Sequence, residues 1–206
     1  NTACNLASLN LMAFQHEDGT FNLAAFNSAV RLWTISLEIS VLMAQFPSAE
    51  IAKLSYRYRT LGLGCANIGG LLMAMGIPYD SNEGRTICAA ITALMTGIAY
   101  KTSGEMAELL GSFPGYNENE DSMLKVMRNH RRAAYGDKKG YEKISITPVP
   151  LEKQDSGVAN EIIDAARAAW DDAVRLGGIS GYRNAQTTVI APTGTIGLVM
   201  DCDTTG

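Results

Sequence analysis

Histidine, cysteine and charge are all scarce in this 206-residue chain. There are two histidines and four cysteines. Cys4, Cys65, Cys88 and Cys202 lie far apart, with no Cys-x-x-Cys pair and no Cys/His spacing of a zinc site. No metal site is therefore expected, and no disulfide framework organises the chain. Charged residues make up 18%, with a formal net charge of -4 and a pI near 5.2. The clustered cations that a nucleic-acid backbone recruits are missing, so nucleic acid is excluded as the principal partner. Long apolar runs are missing too. The most apolar stretch, 87–100, carries threonines and is bounded by Arg85 and Lys101, well short of the roughly 20 residues a bilayer span requires. No membrane role is expected. Nothing at the start combines a charged segment with an apolar core, so no secretory signal is read and a cytoplasmic location with reduced thiols is expected. The Walker pattern is absent, because no Gly-Lys-Ser/Thr occurs.

What is present is a foldable amount of apolar material, 47% of residues, enough for one substantial core or a large piece of a bigger domain. Disorder is excluded on that ground. Residues 4–11 alternate leucines with small and amide side chains and read as a short buried strand. A helix is predicted over 23–46, with Phe26, Val30, Trp33, Leu37, Val41 and Ala44 on one face and Pro47 as its stop. Glu38 stands out as an acid in that helix and is assigned to the polar face with Arg31 and Ser40. Residues 58–64 suggest a strand closed by a glycine turn, and 69–76 a short apolar helix. Asp80 and Glu83 have capping-box spacing ahead of a long helix to about 110; its Gly84, Gly97 and Gly104 permit close backbone approach. Further helices are predicted over 118–135 and 158–176, the latter ending at Gly177-Gly178. Between them, 136–157 is rich in Gly, Pro and charge and reads as an excursion or loop. The β-branched run 186–191 is predicted to be a strand. Long helices alternating with short strands indicate an α/β architecture.

The strongest chemical signal is the junction after that last run, Pro192-Thr193-Gly194-Thr195-Ile196-Gly197. Glycine lets a backbone approach a phosphate, successive N–H groups point into the turn, and threonine hydroxyls add donors without charge. The same residues also make an ordinary strand-to-helix turn with Thr195 as N-cap. Cys4 is equally open on its own, either a small hydrophobe in a strand or a redox thiol. The cations Lys125, Arg128, Arg131 and Arg132, with His130, end a helix that begins with Glu118, Glu120 and Asp121. The helix dipole favours that distribution, so a solvated helix end is expected there.

Three stretches in register then resemble one family: Asn1-Thr2-Ala3-Cys4-Asn5-Leu6-Ala7-Ser8-Leu9-Asn10-Leu11; Tyr58-Arg59-Thr60-Leu61-Gly62-Leu63-Gly64 with Ala66-Asn67-Ile68-Gly69-Gly70; and 182–196 continuing to Asp201-Cys202-Asp203-Thr204-Thr205-Gly206. They are similar to the large catalytic chain of class II, adenosylcobalamin-dependent ribonucleotide reductase, along essentially all 206 residues. The resemblance implies a helix-rich part of a ten-stranded α/β barrel and reduction of ribonucleotides to deoxyribonucleotides by radical chemistry. It makes Cys4 one of a redox pair whose partner lies outside the chain, and Pro192, Thr193, Gly194, Thr195 and Ile196 the loop that holds the substrate's phosphates. It further implies adenosylcobalamin as cofactor, a ribonucleoside di- or triphosphate substrate and a thioredoxin-like reductant, and it admits a homodimer of the full-length enzyme. The family's Asn-Pro-Cys-x-Glu radical motif and its Gly-Ile-Glu-Pro continuation are not in these residues. The chain therefore reads as an internal fragment of the catalytic barrel, 1–206, inactive alone. Two readings compete with this one: a non-catalytic nucleotide-phosphate-binding α/β domain, and the di-iron-dependent class of the same reductase.

Overall fold

A computed structural model describes residues 1–154 and 157–206. The chain opens with strand β1 (Asn5–Asn10) and a turn of 3-10 helix (Leu11–Phe14), then helix α1 (Leu23–Met43). Asn22 caps α1, its side chain accepting from the Ala25 N–H at 2.9 Å. The helix stops at Met43, before Pro47. Its buried face is Phe26, Val30, Thr34, Leu37, Glu38 and Val41. Trp33, expected on that face, is 44% exposed, and Glu38, expected on the polar face, is buried.

A second helix, α2 (Ala49–Tyr58), was not anticipated. It is short and buries only Ser55, so it has no apolar stripe to read; Ser48 caps it through the Ile51 N–H. Arg59 then reverses the chain in the left-handed region, at φ 49°. Strand β2 (Leu61–Ala66) runs straight through Gly62 and Gly64 instead of turning at them. It pairs in parallel with β1, Leu6 opposite Gly62 and Ser8 opposite Gly64.

Helix α3 (Ile68–Ala74) follows, then the long α4 (Asn82–Leu110). Its N-cap is Ser81, accepting from the Gly84 N–H at 3.0 Å; Asp80 instead pairs with Arg85. Helices α5 (Glu120–Tyr135) and α6 (Ala159–Ser180) complete the helical layer. Helix α6 passes through Gly177-Gly178 and ends at Gly181. The reason is Tyr182, whose ring folds back over Gly177, where any β-carbon would overlap it, and donates its hydroxyl to the Ala173 carbonyl at 2.8 Å. Gly97 and Gly104 do permit close approach: β-carbons there would stand 3.1 Å from Ala169 Cβ and 2.8 Å from Leu176 Cβ, both on α6.

The main core joins the inner face of the sheet to α1, α4 and α6 through Leu9, Leu61, Leu63, Phe26, Ile91, Leu94 and Ile162. Each such side chain contributes on the order of 1.5–3 kcal/mol by leaving water. A second, aromatic cluster (Tyr100, Phe113, Tyr116, Trp170, Tyr182) sits among α4, α5 and α6. The stretch after Gly136 forms neither helix nor strand as far as residue 154, yet it is anchored. Glu142 accepts from Arg128 and Arg132 at 2.7 Å, and the Leu151 N–H donates to Ala133 O. Residues 155 and 156 of the expected excursion lie outside the described residues. The predicted strand 186–191 reduces to one parallel bridge, Thr188 with Leu63. No further strand lines its outer edge among the described residues, and Pro192 has no N–H to prolong a ladder. Among the described residues no helix is long and apolar enough to cross a membrane. The last element is the single-turn α7 (Gly194–Val199).

Candidate functional site: a thiol and an open turn on one sheet face

Among the described residues helices cover only one face of the sheet, where Ala7, Leu9, Leu61 and Leu63 are buried. Strand alternation sends Cys4, Leu6 and Ser8 to the opposite face. Gly62 and Gly64 lie beside them. A β-carbon on Gly62 would come within 2.5 Å of Cys4 Sγ, 2.6 Å of Leu6 Cδ2 and 3.1 Å of Val189 Cγ1. One on Gly64 would meet the Val189 carbonyl at 2.7 Å. Glycine is thus required in β2 because the thiol-bearing strand and the 186–189 run close over it from both sides.

Cys4 itself is exposed and unpaired. Partial burial pushes its thiol above the ordinary cysteine value, so at neutral pH it is a protonated thiol more than a ready nucleophile. The backbone just before it is held at both polar atoms. The Ala3 N–H donates to Ser55 Oγ at 2.9 Å, and its carbonyl accepts from Thr60 Oγ1 at 3.0 Å. A groove of about 670 Å³ opens beside Cys4 against α1, lined among others by Leu6, Trp33, Ser40 and Met43. The other thiols differ: Cys65 is pushed up to about 11 by burial, and Cys88 and Cys202 are also raised, chiefly by burial. All four are free.

The turn at 192–196 leaves the carboxyl end of the third parallel segment, where open α/β sheets place their ligands. Thr193 is buried and takes a left-handed conformation, φ 57°, which is strained for a β-branched residue. Its hydroxyl donates to Ala191 O at 2.9 Å and lies 3.5 Å from Ser8 Oγ. Thr193, not Thr195, is the N-cap of α7, and it makes no side-chain capping bond. Gly194, Thr195 and Ile196 are exposed. Among the described residues the N–H groups of Thr193, Gly194, Thr195 and Ile196 have no protein acceptor. Residues 184–206 contain no Lys or Arg, so this turn offers amides and hydroxyls, not charge. Cys4 and Ser8 are four residues apart on one strand face, roughly 13 Å at about 3.3 Å per residue. The thiol and the turn therefore stand at opposite ends of a single surface.

The constellation that sequence reasoning passed over is at Glu38. Its Oε1 accepts from Arg59 Nε and Arg183 Nε, both at 2.7 Å, and its Oε2 accepts from Asn184 Nδ2 at 2.6 Å. Asn184 in turn accepts from Ser103 Oγ and donates to the Arg59 carbonyl. This buried network ties α1 and α4 to the entries of β2 and of the 186–189 run. The helix-end cations are engaged too, Arg128 and Arg132 by Glu142 and Arg131 by Asp171. His130 lies at the exposed end of this cluster, its ring stacked at 5.1 Å on Trp170.

The sequence matches the family described as ribonucleotide reductase, barrel domain, over residues 1–206. Relatives named vitamin B12-dependent ribonucleotide reductase, from Bradyrhizobium diazoefficiens and Agrobacterium fabrum, are each 62% identical over the whole chain. One of the same name from Rhodopirellula baltica is 46% identical, again over the whole chain. The chain spans 16% of the length of the first two and 18% of the third. A sheet whose bare face carries a free cysteine at one end and an unsatisfied Pro-Thr-Gly-Thr turn at the other is thus a segment of an α/β barrel, and the chain belongs to the ribonucleotide reductase barrel-domain family.

Proposed function

We propose that this chain is the part of a B12-dependent ribonucleotide reductase that supplies one reducing thiol, Cys4, and the loop that grips the substrate's phosphates, Pro192–Ile196. The single observation that carries the reading is the shared face: an exposed thiol and a turn with four unspent amides, separated by the span of a ribose and its phosphate tail. A ribonucleoside di- or triphosphate lying along β1 puts its anionic end on the amides of Thr193, Gly194, Thr195 and Ile196 and its sugar toward Cys4. The phosphate is held without a cation, by oriented dipoles. Thr195 adds a hydroxyl donor, and the buried Thr193 sets its hydroxyl 3.5 Å from Ser8 Oγ.

Reduction balances as follows. The ribonucleotide and two thiols become the deoxyribonucleotide, one disulfide and water. Cys4 and a second cysteine from elsewhere in the full-length enzyme are oxidised together, and the 2′ hydroxyl leaves as water. An external dithiol of thioredoxin type then reduces the disulfide by exchange at the exposed Cys4 sulfur. Adenosylcobalamin, when bound, supplies the radical that initiates the reaction. The residues of this face (Leu6, Ser8, Gly62, Gly64) form no corrin site by themselves, and no step here passes through the cofactor. The chain's own contributions are to bind, to orient and to deliver reducing equivalents.

The test uses the full-length reductase that contains this segment. Cys4→Ser should retain nucleotide binding and lose multiple-turnover reduction. Gly194→Val should raise KM, since a side chain there meets nothing in the protein and can crowd only the ligand. Sustained turnover by the serine variant removes Cys4 from the chemistry, and an unchanged KM for the valine variant removes the loop from substrate binding.

A further inference from the structure

The turn at 192–196 has few attachments of its own to the sheet beneath it. Thr193 Oγ1 lies 3.5 Å from Ser8 Oγ, the limit of a hydrogen bond, and its other side-chain bond, to Ala191 O, is local. The remaining tether comes from the chain's last residues, where the Gly206 N–H donates to Pro192 O at 3.1 Å. Those last residues hang on one side chain. Asn67 Oδ1 accepts from the Thr204 N–H at 3.1 Å and lies 3.4 Å from the Thr204 hydroxyl, while the Asn67 N–H donates to Thr205 O at 3.3 Å. Its Nδ2 donates across to Asn10 Oδ1 at 3.2 Å, at the carboxyl end of β1. The Asn10 amide reaches Met200 O, just beyond α7, at 3.4 Å.

Asn67 is 1% exposed and sits in the left-handed region at φ 71°. Among residues other than glycine, asparagine is one of the few that visit this conformation readily, and it alone adds an amide that accepts on one side and donates on the other. The site is tight: a β-carbon on Gly70 would run into Asn67 Oδ1 and stand 3.0 Å from Asn67 Cγ and 3.3 Å from Asp203 Oδ2. The Gly70 N–H completes the cluster by donating to Thr204 Oγ1 at 3.4 Å.

We propose that Asn67 is a positioning residue for the nucleotide's phosphates, acting through residues 204–206 as a strap that sets the 192–196 turn against the ends of β1 and β2. This rests on the reading of that turn as the phosphate loop. Asn67 touches no substrate atom. Its removal lets the strap and the turn drift together, which weakens the grip on the anion and leaves the thiol end of the face untouched.

Steady-state kinetics of the full-length reductase, with whichever of CDP or CTP it turns over, tests this in Asn67→Gly, Thr204→Val and Gly194→Val. Asn67→Gly keeps the left-handed backbone and deletes the amide; Thr204→Val removes only the strap's hydroxyl and decides the matter if the glycine variant fails to fold. We expect KM to rise about tenfold in Asn67→Gly and severalfold in Thr204→Val. In both, kcat should stay within twofold, the pattern of lost uniform binding, and maleimide labelling of Cys4 should keep its wild-type rate. If Gly194→Val raises KM while Thr204→Val and any folded Asn67→Gly do not, the strap is wrong and the loop reading stands. If KM, kcat and Cys4 labelling all change together, Asn67 is a general structural residue and the proposal is overturned. If Gly194→Val leaves KM unchanged, the loop reading falls and this proposal with it.

Discussion

Replacing Glu38 by alanine is the sharpest perturbation of this fold. The carboxylate is 4% exposed and stands against two guanidinium groups. Arg59 is also 4% exposed, and its Nη2 lies 2.6 Å from the same oxygen that its Nε already uses. Arg183 retains the Leu110 and Gly111 carbonyls and 16% side-chain exposure, so it can find other partners; Arg59 cannot. Breaking a buried pair from one side costs about 3–5 kcal/mol, and here the stranded charge is Arg59. Glutamine is the milder change. It keeps one acceptor for the guanidinium groups but turns an NH2 toward Asn184 Nδ2, which cannot flip because its oxygen accepts from Ser103. Its expected cost is about 1.5–3 kcal/mol. Hydrogen exchange on the full-length protein reads this locally at Leu61, Leu63 and Ala185, whose N–H groups bond to Gln186, Thr187 and Tyr58. At about 1.4 kcal/mol per factor of ten, protection should fall by a hundred- to several-thousandfold in Glu38→Ala and roughly ten- to a hundredfold in Glu38→Gln. Exchange within threefold of wild type in the alanine variant would refute the reasoning, because it would mean Arg59 finds water or another acceptor at no cost.

Gly62→Ala should lower the thermal midpoint and change the rate of Cys4 alkylation, since the added carbon meets the thiol at 2.5 Å; an unchanged rate counts against the close seating of Cys4 on β2. Glu142 is held down at about 2, first by its hydrogen bonds to Arg128 and then to Arg132. Its folded value lies below the ordinary one, so its anchoring is complete above the usual glutamate range and is lost as pH falls toward 2. Acid-active protease should cut 137–150 slowly at pH 5 and fast near pH 2.5 in wild type, but fast at both in Glu142→Gln. Desolvation of its ring, stacked on Trp170, lowers the pKa of His130 below its usual 6.5. The unfolded chain therefore takes up the proton first, and stability should decline as pH drops below that value. In His130→Phe the difference in thermal midpoint between pH 7.5 and pH 5.5 should shrink, and an undiminished difference would show that the acid sensitivity lies elsewhere.

Much of this architecture was legible in local pattern. The long helices announce themselves by spacing, β1 by alternation, and the 192–197 turn by its residue types. The misses share a physical cause: they depend on partners remote in sequence. Glu38 sits one position from Leu37 and looks like an acid on a helix flank, yet the groups that make it a buried hub are 21 and 145–146 residues away. Trp33 was placed inside by the same periodicity and is partly outside, because the face that packs is rotated toward Thr34 and Glu38. Gly62 and Gly64 looked like a turn, but glycine in a strand can equally mark close approach by neighbouring strands, here Cys4 from one side and Val189 from the other. The end of α6 was read from Gly177-Gly178, whereas Gly177 exists to receive the Tyr182 ring. For the thiol, nothing in composition separates Cys4 from Cys65. What separates them is the strand face: odd-numbered Leu61, Leu63 and Cys65 turn toward the helices while Cys4, Leu6 and Ser8 turn away, so Cys65 is desolvated to about 11 and Cys4 stays exposed.

Strain is distributed in the same polarised way. Five non-glycine residues among those described have φ in the left-handed region, and three of them cluster at the carboxyl ends of the strands: Thr193 and Asp201 within the 192–206 segment and Asn67 against it. Each costs on the order of 1–3 kcal/mol where glycine would cost little. At Asn67 and Thr193 a side chain recovers part of that by bonds glycine cannot make, to Thr204 and Asn10 in one case and to Ala191 in the other. A turn needed only to connect β-structure to a helix has no use for such expense. Near-ideal geometry would serve, with the first amides of α7 capped by a side chain. Instead the cap is strained, its hydroxyl is spent on its own strand, and the amides of Thr193 through Ile196 are left unsatisfied and, from Gly194 on, facing outward. A strained backbone thus stands with four free donors at one end of the face, and side chains are absent at Gly62 and Gly64 beside the thiol at the other. Both features lower stability locally, and both are intelligible if an anionic ligand with a reducible centre lies between them.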